Sequence, residues 1–127
     1  MADTGAEDML DLLEESDPMF YEVMTCVFGV QPQVTRTYLA LAEQPASTVE
    51  ELADELDRDR SNVNRSLTTL LDHGLAERNR RLLNSGGYIY QYDPKPLPEA
   101  KEMLHTALDA WAEQVHATIE GFDEDQE

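Results

Sequence analysis

The sequence predicts a mainly α-helical domain that carries one small β-hairpin and ends in a long helix. Three observations predict it. Apolar residues recur at helical spacing through most of the 127-residue chain. One aromatic and β-branched run, Tyr88-Ile89-Tyr90-Gln91-Tyr92, follows a Gly-rich turn, as the returning strand of a hairpin does. Leu104, Leu108, Trp111, Val115, Thr118 and Phe122 are then spaced 4, 3, 4, 3 and 4 apart, the rhythm of a coiled-coil seam.

The elements follow in order. Thr4-Gly5-Ala6-Glu7 has the spacing of a capping box, and Met9, Leu10 and Leu13 continue it as a short helix to about residue 15. Asp17-Pro18 starts a second helix with an N-cap acceptor and a proline at the first helical position. This helix is apolar nearly all round up to Phe28, so it is expected to be buried, and Gly29 ends it. A third helix covers residues 34–43, with Val34, Tyr38, Leu41 and Ala42 inward, and Gln44-Pro45-Ala46 breaks it. Residues 47–56 form a short helix capped by Ser47 or Thr48, with Glu50 or Glu51 completing the box. Its inward stripe is Val49, Leu52, Ala53 and Leu56. After the polar turn 57–60, residues 61–73 form the next helix, closed by Gly74. Residues 75–83 read as a strand, 84–87 as a hairpin turn and 88–92 as the return strand. Asp93-Pro94-Lys95-Pro96 is expected to lie outside the sheet. The last helix, about residues 98–120, would be roughly 34 Å long. That is too long for one small domain to cover, so its seam is expected to meet a partner chain. The acidic tail, 123–127, is expected to be disordered.

Composition removes several function classes. The chain holds 27 Asp+Glu against 9 Lys+Arg, a formal charge of −18. With 41 % apolar residues in periodic stripes, the acid excess sits on a folded surface rather than marking a disordered chain. Lysine is scarce, with only Lys95 and Lys101. Surplus acid with few lysines is the pattern of a protein adapted to a very salty, screening cytoplasm, which predicts a halophilic source. No apolar run has the length of a membrane span, and the start lacks a signal peptide's basic residues, so a cytoplasmic protein is expected. The single cysteine allows no intrachain disulfide.

The total charge argues against a nucleic-acid partner, but its distribution does not. Residues 57–95 hold seven basic residues (Arg58, Arg60, Arg65, Arg78, Arg80, Arg81 and Lys95) and five acids (Asp57, Asp59, Asp72, Glu77 and Asp93), a net +2. The other 88 residues hold two basic residues and 22 acids, a net −20. A salt-bridged face would explain the cluster, and so would a surface that faces phosphates.

Helix, helix, short turn, helix and two-stranded hairpin is the order of a winged helix-turn-helix. At 3.6 residues per turn, Leu67, Leu70 and Leu71 fall within about 80° of Val63 and face the core. Ser61, Arg65 and Thr68 fall on the opposite side, flanked by Asn62, Asn64 and Thr69. No acid occurs from residue 61 to 71, whereas a merely solvated helix in so acidic a chain would carry Glu and Asp there. Arginine pairs with guanine edges, asparagine with adenine, and short hydroxyls reach bases or phosphates. On the wing, Arg78 and Arg80 share one strand face and Arg81 takes the other. They either reach phosphates and the minor groove or are salt-bridged to Glu77 and the acidic surface.

The run TVEELADELDRDRSNVNRSLTTLLDHGLAERN, with its Ser-x-Val-x-Arg-x-Leu helix and its Leu-x-x-x-Gly-Leu entry to the wing, resembles the winged-helix regulators of the MarR, PadR and TrmB groups. With its acidity and flanking helices, the whole chain resembles their haloarchaeal members, oxidative-stress regulators among them. The resemblance implies a transcription regulator that acts as a homodimer, with two recognition helices in successive major grooves of a palindromic duplex DNA site. It carries Ser61, Asn62, Asn64, Arg65 and Thr68 over as groove contacts and Arg80 and Arg81 as wing contacts; Arg60, Thr69 and Arg78 complete the candidate DNA-binding set. The expected layout is residues 1–33 for N-terminal dimerisation helices, 34–96 for the winged domain and 97–122 for a C-terminal dimerisation helix. Met9, Leu13, Leu104, Leu108, Trp111, Val115 and Phe122 are the candidate dimer contacts.

The remaining chemistry is thin. Cys26 sits in an apolar run with no cation nearby in sequence, so a buried, unactivated thiol is expected. It is nonetheless the candidate redox residue, and a bond to its copy becomes possible if it lies on a dimer axis. His105 and His116 share a helix face without a supporting Cys or carboxylate cluster, so no metal site is expected. The chain has no Gly-rich phosphate loop or nucleophile elbow, which argues against an enzyme. Nor is a membrane partner, a small-molecule effector or an organic cofactor expected. Two rivals to a DNA-binding regulator are a winged-helix protein–protein module and an acidic DNA mimic. They predict an apolar or acidic exposed face on helix 61–73, and this one is neither. The −20 shell also predicts that cations such as K+ stay at a DNA interface, so that affinity is flat or rising with KCl rather than falling by counterion release.

Overall fold

A computed structural model of the chain describes residues 18–123. In chain order the elements are α1 (Pro18–Phe28), α2 (Pro32–Glu43), α3 (Val49–Leu56), α4 (Arg60–Asp72), β1 (Ala76–Leu82), β2 (Tyr88–Pro94) and α5 (Leu97–Gly121). The expected helix over 4–15, with Met9 and Leu13, and the tail beyond Asp123 lie outside the described residues.

Two helices, α3 and α4, start where a side-chain cap dictates. Thr48 accepts a hydrogen bond from the Glu51 amide, and Glu51 accepts one back from the Thr48 amide, a complete capping box for α3. Asp59 caps α4 by accepting from the Asn62 amide at 3.2 Å, so that helix begins at Arg60, one residue before the expected start. Gly74, at φ +74°, turns the chain out of α4 as expected. Ser47 is not a cap. It is buried, and its backbone exchanges two hydrogen bonds with Tyr92, a bridge between residues far apart in sequence.

β1 and β2 form one antiparallel hairpin in the register Ala76↔Pro94, Arg78↔Tyr92, Arg80↔Tyr90 and Leu82↔Tyr88. The strand runs on through Asp93 and Pro94, which corrects the expectation that it stops at Tyr92. A proline lacks only the donor, and at this strand end the next donor, the Lys95 amide, reaches the Leu75 carbonyl at 2.8 Å.

The core lies between α2, α3, α4 and the base of the hairpin. Tyr38, Leu39, Leu41, Leu52, Val63, Leu67, Leu70 and Leu75 are buried in it. The expectation that α1 is buried all round is overturned. Only its Met24 is buried, while Met19, Val23 and Cys26 are exposed. α1 packs one stripe against α2 and α5, and its other side is exposed among the described residues. α5 behaves alike. Leu104 leans on the core, but Leu108, Trp111, Ile119 and Phe122 are exposed. No helix among the described residues is long and apolar enough to cross a membrane.

Candidate nucleic-acid interface

α4 presents a polar ridge because its buried stripe is fixed. Val63, Ser66, Leu67 and Leu70 face inward, with α2 and α3 behind them. That leaves Ser61, Asn64, Arg65 and Thr68 exposed, with Asn62 and Thr69 half-buried at the edges. Several side chains on the ridge and its edges are held. The Arg65 guanidinium donates to Asn62 Oδ1 at 3.1 Å, which keeps the arginine on the ridge and leaves further N–H groups for an acceptor. Thr68 and Thr69 donate to the Asn64 and Arg65 carbonyls at 3.0 and 3.2 Å, so their oxygens remain acceptors on the outer side. The buried Ser66 was not singled out in sequence, since a serine gives no hydropathic signal for the inward stripe.

The other basic residues divide. Arg60 is paired with Glu50 at 3.3 Å, the only salt bridge the 57–95 cluster makes among the described residues. Both side chains are exposed, and such a pair contributes little to stability. Arg58 donates to Gln33 Oε1 at 3.2 Å. Arg81 is exposed on one wing face, opposite Ile89.

Arg78 and Arg80 share the other face, where they are stacked on tyrosines rather than salt-bridged. The Arg78 guanidinium lies 4.2 Å from the Tyr90 ring centre, and that of Arg80 lies 4.8 Å from the ring of Tyr88. The two rings meet edge-on at 5.3 Å. The Tyr90 hydroxyl, as hydrogen-bond neighbour, pushes the Tyr88 phenol above its ordinary pKa, while Arg80 and Arg78 pull it down. Sequence reasoning saw these tyrosines only as strand residues. The alternation Tyr-x-Tyr-x-Tyr opposite Arg-x-Arg was the available signal.

Of the candidate dimer residues of α5, Leu104 and Leu108 lie beside α1. A cavity of about 260 Å³ between the two helices is walled by Phe20, Val23, Val27, Leu97, Leu104 and Leu108, with Lys101 and His105 also on its wall. Trp111 and Phe122 are exposed, and Val115 is half-buried. Cys26 is exposed on α1, which corrects the expected buried thiol; its helix face lies away from α2 and α5 among the described residues. His105 and His116 are both exposed on α5, and no group of three or more His, Cys, Asp or Glu among the described residues is placed to hold a metal.

Residues 24–97 match the family model described as the sugar-specific transcriptional regulator TrmB. An uncharacterised protein of Methanocaldococcus jannaschii is 30 % identical over 105 residues, which span 83 % of this chain and 87 % of that protein. Among solved structures, a possible transcriptional regulator from Methanosarcina mazei Go1 superposes with a TM-score of 0.71 at 19 % identity, covering 81 % of this chain and 88 % of the other. A mutant of S. aureus MepR, solved bound to an oligodeoxyribonucleotide, superposes at 0.54 with 12 % identity, over 99 % and 88 % of the two chains. These likenesses show the winged-helix fold, and the family is one of transcription regulators rather than enzymes. The family match covers more than half of the chain, which therefore belongs to the TrmB family and is a transcription regulator of the winged-helix type.

Proposed function

We propose that the protein reads duplex DNA as a homodimer, placing one α4 in each of two successive major grooves of a palindromic site. The observation that carries this reading is the outer face of α4. In a chain of charge −18, that ridge offers Ser61, Asn64, Arg65 and Thr68 and no acid. Arg65 makes the sequence-reading contact with Asn62 and Asn64 beside it, and Arg81 and the wing reach phosphates. Arg60, tied to Glu50, is the weakest member of the set.

The apolar faces of α1 and α5 support the dimer, since they leave Trp111, Leu108 and Phe122 open in one chain. Potassium ions retained where Glu50, Glu51 or Asp59 approach phosphates would make binding tolerate molar salt. A halophilic, cytoplasmic setting and a role in the oxidative-stress response come from the resemblance and the acid-rich composition. The sugar of the family's description is not carried over: the α1–α5 cavity is walled mainly by apolar side chains, which give a polyol few partners.

A gel-shift and footprint on the promoter of the protein's own gene, run from low to molar KCl, tests the reading. A protected palindrome is expected, lost in Arg65→Ala. Absence of protection at every salt concentration sinks the proposal. Normal specific binding by Arg65→Ala would show that the wrong side of α4 was assigned to the groove.

A further inference from the structure

The wing face built from Arg78, Arg80, Tyr88 and Tyr90 carries no acid. Glu77 and Asp93 pair with each other on the opposite face of the hairpin. Asp93 is further occupied there, accepting from the Ala46 amide at 3.0 Å and from Asn79 at 3.2 Å. Elsewhere in the same region an exposed arginine does collapse onto a carboxylate, as Arg60 does on Glu50. Arg78 and Arg80 escape that fate in a chain with three acids for every base. Both tyrosines are exposed and fill no part of the core.

We propose that Tyr88 and Tyr90 are positioning residues, whose rings hold the Arg80 and Arg78 guanidiniums in place as a preformed clamp for DNA phosphates. The proposal rests on the DNA-binding reading above and adds residues to it. A free arginine is rich in rotamers and loses them on binding, and holding it beforehand is worth up to about tenfold in affinity for each side chain. A ring also holds a guanidinium without neutralising it, which a carboxylate would do. The contact is to backbone, so its effect falls on all sequences alike.

Two double variants test this, Y88L/Y90L and Y88F/Y90F. Affinity is measured by fluorescence anisotropy on the footprinted duplex and on an unrelated one. The arginine Nε–Hε signals are followed by NMR in the free proteins. In the leucine variant, binding is expected to weaken about tenfold or more on both duplexes, with an unchanged thermal melt. In the phenylalanine variant it stays within about twofold of the parent, because the ring faces remain. Two arginine signals shifted by the rings are expected in the parent and the phenylalanine variant and lost in the leucine variant. Parental affinity in the leucine variant overturns the proposal. So does equal weakening in both variants, which would assign the effect to the hydroxyls. If the parent binds no duplex at all, the functional reading fails instead, and unshifted arginine signals would still refute the clamp separately.

Discussion

The reading head and the arm of this molecule are built by opposite rules. The head, α3 to β2 backed by α2, completes its core within one chain: Leu52, Val63, Leu67, Leu70 and Leu75 are all at most 1 % exposed. The arm, α1 and α5, buries only Met24 and Ala100 among its described hydrophobic side chains and leaves Met19, Trp111 and Phe122 at least half exposed. The basic residues gather within the head, in residues 57–95 at net +2 against −20 in the rest of the chain, although α3 and the end of α2 add acids to the head. The head therefore has a core of its own, while the described part of the arm leaves much of its apolar surface exposed. Nor is the total charge a guide to the partner, since it averages two regions of opposite purpose.

The largest effect expected from this contrast lies in the head. Leu67→Ala empties a site with no solvent access and should cost about 2–5 kcal/mol, much of a typical domain's whole stability. Trp111→Glu in the arm should leave the head folded but separate the protomers. Urea melts at two protein concentrations distinguish the two. Leu67→Ala lowers the midpoint at both concentrations, whereas Trp111→Glu removes the concentration dependence. If the parent's midpoint does not depend on concentration, the arm is not a dimer surface.

The next effect concerns charge. An ordinary DNA binder loses affinity steeply as salt rises. On the proposed reading affinity should be flat or should rise with KCl, because the acids around the ridge would keep cations at the interface. A steep negative slope would falsify that account and leave the acidic shell as a matter of solubility alone. Arg81→Ala should weaken binding a few-fold on every duplex without changing which site is protected, since a phosphate contact carries no sequence information.

The head was largely legible in the sequence and the arm was not. Helical periodicity around Val63, together with the acid-free run, placed Ser61, Arg65 and Thr68 on the outer face of α4, where they stand. A capping box of Ser47 or Thr48 with Glu50 or Glu51 marked the start of α3, where Thr48 and Glu51 form it, and Gly74 marked the end of α4. These signals are local, so one stretch of chain contains all of each. What failed was relational. An all-round apolar α1 says that something covers it but not what, and so Cys26 was expected inside and lies outside. The Ser47–Tyr92 bridge joins residues 45 apart, and nothing at either end announces it. The stacking of Arg78 on Tyr90 needs the register of the hairpin, which the expected strand bounds 75–83 and 88–92 do not specify.

The smallest expected effect sits where head and arm join. Tyr38, buried in α2, donates its hydroxyl to the Lys95 carbonyl at 2.6 Å, and Lys95 lies between the last strand and α5. Burial pushes the Tyr38 phenol up to about 12, from an ordinary value of 10. The folded state therefore favours the neutral phenol more than the unfolded chain does. Its contribution is complete below pH 10 and is lost as the pH rises through 12, because there the unfolded chain releases a proton that the folded chain retains. Tyr38→Phe removes the hydroxyl and strands the Lys95 carbonyl, at a cost of about 1 kcal/mol near neutral pH. It also removes the proton that couples this site to alkali. In urea melts at pH 7 to 9 the variant should be less stable than the parent by that margin. Between pH 10 and 12 the parent should lose stability faster, so that the gap narrows. A gap that stays constant through that range would mean that Tyr38 ionises with equal ease in both states, and that burial does not hold its phenol neutral.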